Sequence, residues 1–436
     1  MLYVPQSVER TITPRSSLGG HFRALLNSNR LALGGALLLS VLLPELLQPY
    51  LAQIAFGQGY HLFSDFSEPE NLATVFALIG VHFSLQNMNS LPLVGDKIAI
   101  LPAFIISFAI AAMALGIGSR EFGRYHLVTG FLVGMAWYFL LAMARARASR
   151  PRLAIVGGLT ADDELRASKI DWVALTRPRL LRDVAGIAFD KTRPLEPRFE
   201  RLFARAVLRQ IPVYELSSLR EMLSGRVQLH LRPEEEFGAI FPSRPYRRIK
   251  RYMDLAAALV LLPLIAPVIA LFALIIRLES PGPAIFRQDR IGYKGRRFTC
   301  FKLRSMRTDV VGADYTTSDD PRITPVGRFI RRTRIDELPQ IFNILRGEMS
   351  WIGPRPESVP LARLYEREIA YYGYRHLVRP GVSGWAAVHQ GNVALPDAAM
   401  RKLEFDFYYI KHFSVWLDFL IALMTVRTIV TGFGAR

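Results

Sequence analysis

The chain has 436 residues, 51% of them hydrophobic, and lysine plus arginine outnumber aspartate plus glutamate by 55 to 37. This length accommodates two or three domains, and the apolar content favours a membrane protein with soluble parts over a purely soluble one. The net charge of +18 predicts anionic partners, namely phospholipid headgroups, nucleic acid or phosphorylated substrates. The single cysteine, Cys300, excludes a disulfide within the chain and is interpreted as a small apolar side chain in a strand.

Four apolar segments fill the first third of the chain, at residues 31–53, 72–90, 98–118 and 127–144. The second is the weakest, because polar side chains crowd its end. Arginines precede the first segment and follow the last, and cytoplasmic flanks of membrane segments collect positive charge. Both ends are therefore predicted to be cytoplasmic, and residues 1–150 are predicted to form a transmembrane region of four helices.

Residues 151–230 have the composition of a soluble domain. The stretches RLAIVGG, IDWVALT, AGIAFD and IPVYEL are typical of strands, and RFERLFARAVLRQ is typical of a helix. This alternation predicts a small, Rossmann-like α/β module with a parallel sheet. Gly157 and Gly158 follow the first strand, but no G-x-G-x-x-G is present, so a structural or regulatory module is favoured over a dinucleotide site. Residues 231–246 are interpreted as a linker.

An apolar run at 255–276 is about long enough to cross a bilayer, yet it carries Pro263 and Pro267. Basic residues flank it on both sides, which is unfavourable for a spanning helix but natural for a hairpin that enters and leaves on the cytoplasmic side. Proline supplies the bend, since it lacks an N–H and its ring displaces a carbonyl of the preceding turn. A re-entrant helix is therefore predicted at 250–278, with a kinked transmembrane helix as the alternative.

The last apolar helix, KHFSVWLDFLIALMTVRTIV, contains Asp418 and Arg427. These charges leave too short an uninterrupted stretch to span, so an amphipathic helix lying in the membrane interface is predicted. The arginine-rich region 284–413 lies between the two membrane-associating elements, and its densest passage is RITPVGRFIRRTRIDELPQIFNILRGEMSWIGPRPE.

Adjacent carboxylates, Asp336 and Glu337, lie among the arginines of this passage. The spacing of the apolar residues that follow predicts a helix starting near Asp336, with Pro339 tolerated in its first turn. If Asp336 is the N-cap, helix amides and guanidinium groups keep it ionised. An ionised aspartate can attack phosphorus while arginines hold phosphate oxygens, and Glu337 can bind a metal or accept a proton. A capping aspartate with surface ion pairs is the alternative.

Residues 247–436 resemble the bacterial sugar transferases, the monotopic phosphoglycosyl transferases that act on polyprenyl phosphate. The matching stretches are KRYMDLAAALVLLPLIAPVIALFALIIRLESPGPAIFRQDRIG, FKLRSMRTD, DPRITPVGRFIRRTRIDELPQIFNILRGEMSWIGPRPE and VRPGVSGWAAV. The N-terminal half is similar to that of the long members, which start exopolysaccharide, capsule or O-antigen assembly. The resemblance implies a monotopic catalytic domain on the cytoplasmic face of the bacterial inner membrane.

The resemblance also implies a reaction in which a UDP-sugar and undecaprenyl phosphate give a lipid diphosphosugar and UMP. Asp336 is the implied nucleophile, Glu337 its partner, and Mg²⁺ the implied cofactor, held by the two carboxylates. Direct attack of the lipid phosphate, activated by Glu337, is one alternative, and a non-catalytic scaffold is another. Downstream glycosyltransferases and a second copy of the chain are possible partners. Nucleic acid is not an expected partner, because the basic residues cluster beside membrane segments.

Six further basic residues are predicted to contact substrate phosphates or lipid headgroups: Arg355, Lys302, Arg304, Arg328, Arg332 and Arg379. Arg355 is presented between two prolines in GPRP, and Lys302 and Arg304 alternate along one predicted strand, so they share a face. For the arginines at 328 and 332, a solvated basic face is the alternative. His376, His389 and His412 have no spacing typical of metal ligands.

Overall fold

The computed structural model describes residues 26, 28–56, 68–89, 96–118, 124–148, 152–157, 170–181, 184–209, 211–228, 242–307, 320–369, 371–390 and 396–431. These residues form two compact units. The first contains the described residues up to Arg152 together with 170–172, and the second contains the others.

Four long helices make up most of the first unit: α1 (Asn29–Phe56), α2 (Glu68–Asn89), α3 (Asp96–Gly118) and α4 (Arg124–Ala148). Large apolar side chains such as Phe76 and Met113 are exposed on them. Within α4, His126–Arg145 is long and apolar enough to cross a membrane, and shorter apolar stretches occupy Asn29–Pro44 and Ala103–Gly116. The predicted segments are thus confirmed as helices, whereas four membrane crossings stay a prediction.

Small residues let these helices approach one another closely. A Cβ atom added to Gly35 would lie 2.3 Å from the Trp137 ring, whose indole N–H donates to the carbonyl of Ala32 over 3.0 Å. A Cβ atom added to Gly134 would lie 2.9 Å from the Leu78 side chain. Close contacts at small residues are typical of helices that associate within lipid.

The predicted α/β module has four strands, β1 (Arg152–Val156), β2 (Asp171–Leu175), β3 (Gly186–Phe189) and β4 (Val213–Glu215), in the order β2-β1-β3-β4. β1 pairs in parallel with β3, and β3 pairs in parallel with β4. Helices α5 (Pro197–Leu208) and α6 (Leu216–Ser224) follow β3 and β4, and α5 buries Phe199 and Leu202 in the module core. The predicted strands and helix are confirmed; Gly158 lies outside the described residues.

Helix α7 (Arg244–Glu279) carries the second stretch that is long and apolar enough to cross a membrane. It includes the last three residues of the predicted linker, because Pro245 fits the first turn of a helix, where its missing N–H is not needed. Pro263 and Pro267 both lie inside this one helix and are exposed.

Both ends of α7 contact the same part of the chain. Near the N-terminal end, the Arg251 guanidinium donates to the carbonyls of Ile344 (2.6 Å) and Leu345 (3.1 Å). At the C-terminal end, the Arg304 guanidinium donates to the carbonyls of Ser280 (2.7 Å) and Pro281 (2.5 Å). The helix is therefore fastened at both ends to the domain that follows it.

That domain begins with an antiparallel pair, β5 (Ile285–Ile291) and β6 (Arg297–Leu303), joined by a 3₁₀ turn at Tyr293–Gly295. Then come α8 (Pro325–Arg332), a 3₁₀ turn at Ile335–Gln340, here called the Asp336 turn, and α9 (Ile341–Arg346). β7 (Ser350–Ile352) pairs in parallel with β8 (Gly381–Ser383), with α10 (Val359–Glu368) and a 3₁₀ turn at Tyr372–Leu377 between them. Three helices end the domain: α11 (Trp385–Gln390), α12 (Pro396–Lys411) and α13 (Val415–Thr431).

The core of this domain joins α7 to the strands and helices that follow. Ile276, Cys300, Ile330 and Ile344 belong to one buried apolar cluster. Cys300 is a free thiol with 1% of its surface exposed, which confirms its interpretation as an apolar side chain, and burial raises the pKa of its thiol. Asp418 of α13 is also buried, and its carboxylate accepts from Lys250 (2.6 Å) on α7.

Helix α12 contacts the α/β module. The Glu221 carboxylate on α6 pairs with Lys411 Nζ and with His412 Nε2, both at 2.7 Å. The Val227 N–H donates to the Glu404 carbonyl over 3.1 Å. The module and the C-terminal domain thus lie in one compact unit, while the predicted division at 151–230 and 247–436 stays a prediction.

Candidate active site

The two candidate carboxylates lie in a 3₁₀ turn and not at the start of an α-helix. α8 ends at Arg332, Arg334 adopts a left-handed conformation (φ 58°), and the Asp336 turn follows. The predicted N-cap role of Asp336 is wrong. Asp336 is the second residue of the 3₁₀ turn, and the residue at its N-cap position is Arg334. The α-helix begins only at Ile341.

Glu337 is buried between two cations. The Arg355 guanidinium donates to both carboxylate oxygens of Glu337, from Nη2 to Oε1 over 2.5 Å and from Nη1 to Oε2 over 3.1 Å. Lys302 Nζ lies 3.2 Å from Oε1. Only 6% of Glu337 is exposed. Burial alone would raise its pKa, but the charges of Arg355 and Lys302 outweigh burial and hold that pKa well below its ordinary value. Glu337 is therefore a firmly ionised member of an ion cluster.

Asp336 has the opposite environment. Among the described residues, no side chain donates a hydrogen bond to its carboxylate or pairs with it within 4.0 Å, and the residue is only half-buried. Burial and the neighbouring Glu337 charge raise the pKa of Asp336 to about 6, against the lowering effect of Lys302 and Arg355. At neutral pH, Asp336 is therefore mostly ionised, basic for a carboxylate and not engaged by a cation, as a nucleophile must be.

Two of the predicted phosphate-contacting residues are at the site. Lys302 on β6 and Arg355, between Pro354 and Pro356, meet at Glu337. The guanidinium of Arg355 also donates to the Val382 carbonyl at 3.4 Å. Glu337 raises the pKa of Arg355, so its positive charge is permanent. Burial lowers the pKa of Lys302, against the raising effect of Glu337, so Arg355 is the permanent cation beside the free Asp336 carboxylate.

Arg304 and Arg379 bind backbone carbonyls away from Glu337. Arg304 does not share a site with Lys302: it is 4% exposed, and its guanidinium caps the C-terminal carbonyls of α7, where the helix dipole favours a cation. Arg379 donates from Nε to the Gly347 carbonyl over 2.9 Å and lies over the Tyr293 ring at 5.3 Å. Contact of Arg379 with a phosphate or a lipid headgroup stays a prediction.

Arg328 and Arg332 are exposed on α8. Because α8 ends at Arg332, this residue does not lie one helical turn before Asp336. The solvated basic face, the alternative for both, fits this placement. His376 lies in the 3₁₀ turn at Tyr372–Leu377, His389 in α11 and His412 just after α12, and no group of three or more metal-ligating side chains occurs in the described part of the chain.

Sequence reasoning missed Arg290, whose charge acts on the Glu337 carboxylate. Its guanidinium donates to the Pro356 carbonyl and, over 2.8 Å, to the Gln288 side chain. Burial lowers its pKa, as does the nearby charge of Arg355. No local motif marks Arg290, because its link to the site is the tertiary contact with the Pro356 carbonyl, next to Arg355 in the chain.

A magnesium site is only partly supported by this geometry. Asp336 offers a free carboxylate, and Mg²⁺ needs few protein ligands when a diphosphate supplies others. Glu337 fits less well, because both of its oxygens already accept from Arg355 and one also accepts from Lys302. Of the two predicted ligands, Asp336 is the one available without breaking an ion pair.

Comparison with known proteins identifies the C-terminal domain. The model of the family "Bacterial sugar transferase" matches residues 245–432. Over 319 residues the chain is 42% identical to the UDP-N-acetylgalactosamine-undecaprenyl-phosphate N-acetylgalactosaminephosphotransferase of Aeromonas hydrophila, covering 72% of this chain and 75% of that protein. It is 43% identical over 185 residues to the UDP-glucose:undecaprenyl-phosphate glucose-1-phosphate transferase of Escherichia coli, covering 41% of this chain and 40% of that protein.

A further relative is the undecaprenyl-phosphate glucose phosphotransferase of Komagataeibacter xylinus, 44% identical over 187 residues, which cover 41% of this chain and 35% of that protein. The match to the Aeromonas protein is longer than the family domain, so it includes part of the chain before α7. From the family domain and this extended match, the chain belongs to the bacterial sugar transferases.

Proposed function

We propose that this chain transfers a sugar 1-phosphate from a UDP-sugar to undecaprenyl phosphate and releases UMP, as the first step of exopolysaccharide, capsule or O-antigen assembly. The names of its relatives support this donor and this acceptor. The observation that carries the proposal is the free Asp336 carboxylate beside a buried cluster of Glu337, Arg355 and Lys302.

The transfer takes place in two displacements. An oxygen of ionised Asp336 attacks the β-phosphorus of the UDP-sugar, and the bond between this phosphorus and the bridging oxygen breaks. UMP leaves with the electron pair, and the sugar phosphate stays on Asp336 as an acyl phosphate. An oxygen of undecaprenyl phosphate then attacks the same phosphorus, and the Asp336 carboxylate leaves. Splitting the transfer lets a soluble donor and a lipid acceptor use one site in turn.

Lys302 and Arg355 have two tasks in this scheme. They neutralise Glu337, and their remaining N–H groups face a site that a diphosphate must enter. Charge-assisted hydrogen bonds to phosphate oxygens orient the phosphorus for in-line attack and offset charge that moves onto the leaving UMP. A Mg²⁺ ion held at Asp336, and at Glu337 if an ion pair opens, would neutralise further diphosphate charge.

The chain is proposed to work at the cytoplasmic face of the bacterial inner membrane. Helix α7 re-enters the membrane with both flanks in the cytoplasm, α13 lies in the interface, and α1 to α4 span the bilayer. Support comes from the apolar length of α7 and from the contacts that both of its ends make with one domain. This geometry would keep Asp336 at headgroup depth, where the phosphate of the acceptor lies.

Cysteine accessibility tests the re-entrant helix. Arg248→Cys and Arg287→Cys place single thiols on the two flanks, and native Cys300 is too buried to react. In inverted vesicles both flanks are expected to label with a membrane-impermeant maleimide, and in right-side-out vesicles neither. Pro263→Ala with Pro267→Ala is expected to straighten the helix and move one flank across. Labelling of both flanks from the cytoplasm in the double variant would show that proline does not set the turn.

Release of UMP tests the reaction. The purified chain and undecaprenyl phosphate are incubated with a panel of UDP-sugars, beginning with UDP-N-acetylgalactosamine and UDP-glucose because the relatives are named for these donors. At least one donor is expected to give UMP, and Asp336→Asn is expected to abolish it. A non-catalytic scaffold would release none with any donor. Its partners, a second copy of the chain or downstream glycosyltransferases, would then be the remaining proposal.

A further inference from the structure

A second ionic cluster lies behind the loop that carries Arg355. It consists of Arg375, Asp406, Glu357 and Lys402 and is here called the support network. Arg375 and Asp406 are 3% and 1% exposed, and their side chains meet at 2.8 Å. Lys402 Nζ donates to the Glu357 carboxylate, which also lies 3.8 Å from Arg375. With two acids and two bases, the network is neutral and buried.

This network and Arg290 hold three successive residues of the loop, here called the Arg355 loop (residues 353–358). The Arg375 guanidinium donates to the backbone carbonyl of Arg355 over 2.8 Å. The Arg290 guanidinium donates to the carbonyl of Pro356. The Glu357 side chain is held by Lys402 and Arg375. The backbone that follows the Arg355 side chain is therefore fixed by cations, while its guanidinium points to Glu337.

We propose that Arg375 is a positioning residue for the transfer reaction: through the Arg355 carbonyl it keeps the Arg355 guanidinium on Glu337 and off Asp336. This inference rests on the proposed function. Asp336 and Glu337 are adjacent in the chain, so a small shift of the Arg355 backbone would let the guanidinium pair with Asp336 instead. An arginine on the nucleophile would neutralise it and block its approach to phosphorus.

The geometry of Arg375 suits this task. Its planar fork donates at once to Asp406 (Nε at 3.2 Å), to the Tyr372 hydroxyl (2.6 Å) and to the Arg355 carbonyl. A lysine carries the same charge but has one flexible ammonium group, so it cannot make the three hydrogen bonds to Asp406, Tyr372 and the Arg355 carbonyl in their fixed geometry. Arg375→Lys therefore retains the charge balance of the network and removes the fixed direction of the Arg355 backbone.

A double-mutant cycle on UMP release separates positioning from general stability. Arg375→Lys is expected to lower kcat about 10- to 100-fold, as loss of a supporting contact around a reactive site does, with KM for the UDP-sugar changed much less. In an Arg355→Lys background, Arg375→Lys is expected to lower kcat less than about 2-fold, because the Arg355 guanidinium through which Arg375 acts is already absent. The rates are normalised to folded protein. Multiplicative effects of the two substitutions would overturn the proposal.

Tyr372→Phe is a gentler second variant that removes only the hydroxyl at Arg375. It is expected to lower kcat a few-fold in the wild-type background and not in Arg355→Lys, and an unchanged kcat would contradict the proposal. The matched control is Glu221→Gln, which weakens the ion pairs of α6 with Lys411 and His412 and touches no residue of the Arg355 loop. Its rate per folded molecule is expected to stay within about 2-fold of wild type.

One readout does not depend on catalysis. The amides of Gly381 and Ile291 donate to carbonyls of the Arg355 loop, at Pro354 (3.0 Å) and Glu357 (3.1 Å). Their hydrogen exchange is expected to quicken in Arg375→Lys and Tyr372→Phe and not in Glu221→Gln. Unchanged exchange at both amides would contradict the inference even if wild type releases no UMP, an outcome that would overturn the proposed function by itself.

Discussion

The Asp336 site and the support network are two buried ionic clusters that differ in one respect. In the support network, Glu357 pairs with Lys402 and Asp406 pairs with Arg375, so each carboxylate has a cation. At the site, Glu337 takes two cations, and neighbouring Asp336 takes none within 4.0 Å among the described residues. Ion pairs are expected to hold the support network together, whereas a half-buried carboxylate without a paired cation lowers stability. Such carboxylates are typical of functional sites.

The pKa directions separate Asp336 from Glu357 but not from Asp406. In the support network, cations outweigh burial and lower the pKa of Glu357 to about 2, whereas burial outweighs the charges of Arg375 and Lys402 and raises the pKa of Asp406. At the site, burial and Glu337 together raise the pKa of Asp336 to about 6. A carboxylate whose folded-state pKa is raised opposes folding at neutral pH. Asp336 is therefore retained despite its effect on stability, which is what a nucleophile requires.

The largest expected effect comes from removing the free carboxylate. Asp336→Asn is expected to lower UMP release at least about 1000-fold, because an amide cannot displace UMP. The melting temperature is expected to stay unchanged or rise, since a buried unpaired charge has been removed. Kinetics and thermal unfolding of the same preparation check both parts. A variant that loses stability along with activity would mean that Asp336 is paired in the working protein.

Removing one carboxylate of the support network is expected to lower the stability, whereas Asp336→Asn leaves it unchanged or raises it. Asp406→Asn leaves Arg375 buried beside an amide and is expected to cost about 3 kcal/mol of stability. The measurement is the midpoint of thermal or denaturant unfolding in detergent, with Asp336→Asn as the control. If the two variants unfold at the same midpoint, the distinction between a paired and an unpaired cluster is wrong.

Glu337→Gln is expected to act between these extremes. It removes the anchor of Arg355 and Lys302 and frees both cations to move toward Asp336, so UMP release is expected to fall about 10- to 100-fold. Raising Mg²⁺ is not expected to restore the rate, because Glu337 is already occupied by cations. Recovery of the wild-type rate at high Mg²⁺ would instead identify Glu337 as a metal ligand.

The smallest effect is expected where α6 meets α12. Glu221→Gln weakens the pairing with Lys411 and His412 and is expected to cost about 1 to 2 kcal/mol. Burial raises the pKa of Glu221, but the two donors outweigh it and lower that pKa overall. The contribution is thus complete above the ordinary glutamate value and lost as the pH falls through the lower folded-state pKa. Unfolding midpoints of both proteins should converge at acid pH, and a constant difference would contradict this.

The sequence predicted the elements better than the side-chain partners. Local patterns located α1 to α4, the module strands and α7, because hydrophobic period and composition determine these. The Asp336 and Glu337 pair was predicted from the resemblance to the bacterial sugar transferases, because its arginine-rich setting alone also fits a capping aspartate, and Arg355 was predicted from its two prolines and the same resemblance. Arg304 was predicted to share a strand face with Lys302 but caps the end of α7, because a basic residue near a site can equally cap a nearby helix end.

The support network could not be predicted from the sequence. Arg375 and Asp406 are 31 positions apart in the chain and meet only because α12 packs beside the 3₁₀ turn at Tyr372–Leu377. The helix predicted to start near Asp336 begins as a 3₁₀ turn at Ile335 and becomes an α-helix only at Ile341. Local rules thus found the charged residues, and only the tertiary packing showed which charges cancel and which carboxylate stays free.

Trapping the intermediate tests the central claim most directly. The purified chain is incubated with a UDP-sugar that supports UMP release, without undecaprenyl phosphate, and the intact mass and peptides are measured. We expect one equivalent of UMP and one sugar phosphate on the peptide that contains Asp336, discharged on adding undecaprenyl phosphate and absent from Asp336→Asn. Full turnover with acceptor but no adduct without it, or an adduct that survives in Asp336→Asn, would contradict a covalent intermediate on Asp336.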